Sequence, residues 1–75
     1  MSIGGNMTPN LLRQLWSLIE STQANFLLRL DDASLIQWLL QNLNNQRSLN
    51  HQENDILSEY IRSKIPLIRD LAQQR

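Results

Sequence analysis

No cysteine occurs in this 75-residue chain, and histidine, glycine and proline are scarce, with one, two and two copies. Each shortage excludes something. Without cysteine there is no disulfide framework and no thiolate metal site. A single imidazole, His51, cannot build a multi-histidine centre within one chain. Charge of neither sign dominates: seven basic residues balance seven acidic ones, for a net charge of zero. Such a balance supplies no long-range field to draw in nucleic acid or an anionic membrane, and little repulsion between copies of the chain. No apolar run approaches the roughly 20 residues needed to cross a bilayer. Alternation with a period of two is missing, which removes the usual signature of a strand.

What is present is leucine at helical spacing. From Thr8-Pro9 onward, Leu12, Leu15, Trp16, Ile19, Gln23, Phe26, Leu27 and Leu30 recur every three or four residues. Thr8 suits an N-cap, and Pro9 suits the first helical position, where its missing amide costs nothing. The spacing predicts one helix over residues 9–29. The alternative is a break at 21–23, where Ser21, Thr22 and Gln23 compete for backbone hydrogen bonds. Asp31-Asp32 opens a second helix, expected over 32–43, because a carboxylate there caps free amides and meets the positive end of the dipole. Its apolar set is Leu35, Ile36, Leu39, Leu40 and Leu43, with Trp38 at the edge, and Asn42-Leu43-Asn44-Asn45-Gln46 reads as a C-cap and loop.

A third helix is expected after Ser48-Leu49-Asn50, capped either by Ser48 alone or by Asn50 with Glu53, which have the spacing of an Asn-headed capping box. Its stripe is Ile56, Leu57, Tyr60, Ile61, Ile65, Ile68, Leu71 and Ala72. Pro66 interrupts it, which predicts either a kink or a short break followed by a new segment. The fold expected is all-α: an antiparallel three-helix bundle with the C-terminal helix kinked or broken near Pro66. Residues 1–7 read as a flexible tail and 8–75 as one domain. The run 1–7 lacks the charged start and apolar centre of a signal peptide, so a cytoplasmic location is expected.

Candidate chemistry is sparse. His51 and Asp55 are four apart and share a helix face, but two ligands do not hold a metal firmly. Adjacent Asp31 and Asp32 are explained as a helix start, and none of the serines lies in a nucleophile-elbow context. No glycine-rich loop cradles a phosphate. No catalytic residue, cofactor or metal site is expected, and the chain reads as a non-enzyme. A small chain without staples stays marginal alone, burying about 60% of its unfolded surface. The wide apolar faces therefore predict burial against a second copy of the chain or another protein, through Trp38, Leu11, Leu18 and Leu28, with Tyr60 as a polar-edged anchor. The alternative is a small nucleic-acid-binding regulator using Arg62, Lys64 and Arg69. It is disfavoured because Glu53 and Asp55 would face phosphates at the start of the same helix.

The run Leu57-Ser58-Glu59-Tyr60-Ile61-Arg62-Ser63-Lys64-Ile65-Pro66-Leu67-Ile68-Arg69-Asp70-Leu71-Ala72, with Asp31-Asp32 and Trp38-Leu39-Leu40, resembles small uncharacterised all-helical proteins of cyanobacteria. The resemblance spans most of residues 8–73 and implies a cytoplasmic or thylakoid-associated accessory role. It carries no site residues.

Overall fold

The computed structural model of the protein describes residues 9–74. The tail expected at 1–7, the Thr8 cap and Arg75 lie outside the described residues. Four helices make up the described chain: α1 (Pro9–Ser21), α2 (Ala24–Arg29), α3 (Asp32–Gln46) and α4 (His51–Gln74). No strand occurs among the described residues. The all-helical class is as expected; the number of helices is four where three were expected.

The extra helix comes from a break at Thr22. The Leu18 carbonyl accepts the Thr22 hydroxyl at 2.6 Å and the Ser21 hydroxyl at 3.1 Å, alongside the Thr22 amide at 3.1 Å. Side chains that crowd one carbonyl in this way compete with the helical ladder. Gln23 then turns extended (φ −63°, ψ 136°), and its own carbonyl restarts the helix by accepting from Phe26 and Leu27 at 3.1 and 3.2 Å. The single helix expected over 9–29 is therefore replaced by the alternative, two helices flanking 21–23.

In α1 the inward line is Leu11, Leu15 and Ile19, one residue every four. The expected stripe began at Leu12 and ran through Trp16. Both are half-buried instead, because a strict four-residue step rotates the core face toward Leu11. Leu11 is 1% exposed. Its assignment to an interaction surface is corrected accordingly.

Helix α3 opens as the sequence indicates. Asp31 is extended (φ −73°, ψ 174°) and its Oδ1 accepts the Ser34 amide at 2.9 Å. The helix continues past Leu43 to Gln46, further than expected. Asn42 turns its side-chain amide back onto the Trp38 carbonyl (2.9 Å), and the Arg47 amide closes the last turn on Leu43 (2.9 Å). Asn44 serves the loop from within the helix, accepting the Leu49 amide at 3.1 Å.

The capping box before α4 is reciprocal: Asn50 Oδ1 accepts the Glu53 amide at 2.7 Å, and Glu53 Oε1 accepts the Asn50 amide at 3.0 Å. Helix α4 passes through Pro66 without interruption, so a separate segment starting at Pro66 is not found. Pro66 and Arg62 are both exposed. The Arg62 carbonyl, which loses its amide partner, lies on the side of the helix that water reaches.

Thirteen of the described residues form the core: Leu and Ile throughout, except for Ala72. Among the described residues no polar or charged residue is buried with them. Helices α2 and α3 both pack on α4, and α1 packs on α3. Arg69, late in α4, reaches Asp32 at the start of α3. The 24 residues of α4, about 36 Å at 1.5 Å per residue, account for most of the 39 Å long dimension.

The Asp31 cap makes a pH prediction. Hydrogen bonds from the Ser34 side chain and amide hold its carboxyl below the ordinary value of 3.8, with the Arg69 charge adding to them. A carboxylate with a depressed folded pKa stabilises the fold above its unfolded pKa, and loses that contribution as pH falls through the folded value. Thermal midpoints of the native protein should therefore drop as pH is taken below 3.8, and Asp31→Asn should remove that part of the slope. Parallel pH profiles for the two proteins would refute the assignment.

Candidate interaction surface

The break at Thr22 places Phe26 beside Trp38. Their ring centroids are 4.9 Å apart and the planes meet at 61°, an edge-on contact favoured by the aromatic quadrupoles. Both rings are half-buried. With Thr22 and Gln23 they line an open recess of about 500 Å³. Phe26, expected on the core stripe of the first helix, thus belongs to the surface. Trp38 sits at the core edge, with its backbone carbonyl taken by Asn42.

The remaining candidates are distributed differently. Leu18 and Leu28 are partly buried and pack against the core from its flank. Tyr60 accepts a hydrogen bond from the Trp16 indole at 3.1 Å, joining α1 to α4, and Lys64 Nζ stands 5.6 Å from the centre of its ring. Trp16, expected on the core stripe, is half-buried, and there its indole N–H reaches this partner. Sequence reasoning missed Leu67, 44% exposed, and placed Leu71, 39% exposed, on the core stripe. The signal was available: 67 and 71 share a face one turn apart, off the line Ile61, Ile65, Ile68, Ala72 that the core selects.

The three basic residues do not form one patch. The Arg69 guanidinium donates to the carbonyls of Leu27 at 3.3 Å and Leu30 at 2.8 Å, and to Asp32 Oδ1 at 2.7 Å. Arg62, exposed, flanks Asp32, Ala33 and Ile36. Lys64 lies two residues on, roughly on the opposite flank at 100° per residue, over Tyr60. His51 and Asp55 do pair as their spacing suggests, at 3.7 Å, but both are exposed. Among the described residues no group of three or more His, Cys, Asp or Glu side chains stands where it could hold a metal ion. No described helix is long and apolar enough to cross a membrane.

Removing the acceptor of the Trp16 indole tests how far this surface contact holds α1. Tyr60→Phe keeps the ring under Lys64 and deletes the oxygen, and should lower the free energy of unfolding by about 1 kcal/mol in chemical denaturation. An unchanged midpoint would show that water serves the indole equally well.

No protein-family model, curated protein or solved structure matches the chain.

Proposed function

We propose that this protein is a non-enzymatic interaction module, a small regulator, adaptor or assembly factor, that buries an apolar helical face against a second copy of itself or another protein. In this reading α1 with its short continuation α2, then α3, then α4 form the three rods of an antiparallel bundle, bent at Pro66, acting in the cytoplasm. One observation carries the proposal. Phe26 and Trp38 meet edge-on at 4.9 Å on an open recess, both only half-buried. Tryptophan in a partly desolvated setting, ringed by polar groups such as Thr22 and Gln23, has the composition of an interface anchor. These groups bind by contact; none is suited to proton or group transfer at neutral pH. Zero net charge leaves association between copies unopposed.

The nucleic-acid reading has less to support it. Arg69 is engaged with backbone carbonyls and Asp32, and Lys64 with an aromatic face, which leaves Arg62 as the cation with no such contact among the three.

Light scattering coupled to size exclusion, over a range of concentrations, tests the proposal. The native protein is expected to dimerise. Trp38→Ala should weaken the dimer by at least about tenfold, the scale of an interface hot spot, with little change in thermal midpoint. A native protein that stays monomeric throughout sinks self-association. A Trp38→Ala protein that unfolds places this side chain in the core instead.

A further inference from the structure

We infer that residues 24–30 and 66–74 form a single strap that opens as a unit while the rest of the protein stays folded, with Pro66 as its hinge and Arg69 as its latch. Neither half is well held alone. Beyond Pro66, α4 buries only Ile68 and Ala72, while Leu67 and Leu71 face outward. Before it, the same helix buries Leu57, Ile61 and Ile65 and begins at the reciprocal Asn50–Glu53 box. Pro66 removes the amide that would have bonded the Arg62 carbonyl, so the ladder is thinnest at the junction of the two parts. The other half, α2, has six residues, one of them buried, and no side-chain cap at Gln23. A helix that short does not persist by itself in water.

Arg69 turns two weak segments into one. Its guanidinium lies beyond the hinge, and two of its three contacts are carbonyls at the end of α2, Leu27 and Leu30. Releasing residues 66–74 strips α2 of those donors. Releasing α2 leaves a half-buried guanidinium with Asp32 alone. Each opening removes what holds the other, which is the condition for a cooperative sub-global unit. When it opens, Leu27, Ile68 and Ala72 join Leu67 and Leu71 as accessible apolar surface.

Native-state hydrogen exchange on the full chain tests this. Amides of 70–74 and those of Phe26 and Leu27, bonded to the Gln23 carbonyl, should exchange at a shared opening rate well above that of amides 56–61. Arg69→Lys keeps the charge but loses the forked geometry. It should speed exchange in both segments together, by about tenfold or more, and leave 56–61 unchanged. Pro66→Ala restores the missing rung, so it should slow exchange in both segments toward the rate of 56–61. A single rate along all of α4 in the native protein would overturn the inference. So would an Arg69→Lys effect confined to one segment, or absent from both.

Discussion

The contact on which the rest of this structure depends is the fork that Arg69 makes with the end of α2. A six-residue helix leaves most of its carbonyls without partners, and a cation at that end also meets the negative pole of the dipole. The guanidinium supplies both from 39 residues away, and its bond to Asp32 fixes where α3 begins relative to α4. Through one side chain, three elements acquire a common reference point. The bond is worth more than an exposed ion pair because Arg69 is half-buried and two of its acceptors are backbone carbonyls.

Around that contact the protein is conservative. Among the described residues its core is aliphatic, and polar desolvation is confined to the margin, where Gln14 Oε1 and Asn54 Oδ1 are buried without a hydrogen-bond partner. The polar residues work at helix ends. Asp31, Asn44, Asn50 and Glu53 each accept a backbone amide that a helix end or loop would otherwise leave free. This explains how sixteen Asn and Gln residues are accommodated in a chain of 75: some serve as caps, and Asn42 fastens to the turn beneath it.

Local signals were legible in the sequence and distant ones were not. The Asp31 cap, the Asn50–Glu53 box and most of the apolar lines of α3 and α4 follow from spacing within a few residues, and the structure has them, with Leu40, Ile56 and Tyr60 moved to the core edge and Leu71 to the surface. The phase of α1 did not follow, because Leu11, Leu12, Leu15 and Leu18 offer two competing faces and only packing on α3 chooses between them. The break at Thr22 was readable as an alternative, since hydroxyl competition is local, but its preference over a continuous helix comes from the place α2 finds on α4. Extension of α3 to Gln46 overrode poor helix formers through Asn42 and the Arg47 amide. The candidate surface was half visible. Trp38 stood out by type, whereas Phe26 joined it only once the chain turned at Gln23. Arg69, read as a surface cation, gave no local hint of partners about 40 residues away.

A core built from leucine and isoleucine has a further consequence. Such side chains are close in volume, so apolar packing by itself discriminates weakly between neighbouring alignments of one helix on another. Apolar packing therefore sets the affinity of the helices for one another but leaves their vertical alignment almost degenerate. Two polar pins lift that degeneracy. The Trp16 indole donates to the Tyr60 oxygen, and the Arg69 fork meets its carbonyls at this setting of α4 against α2. Beyond what they add to stability, these contacts favour one register of the helices over its neighbours.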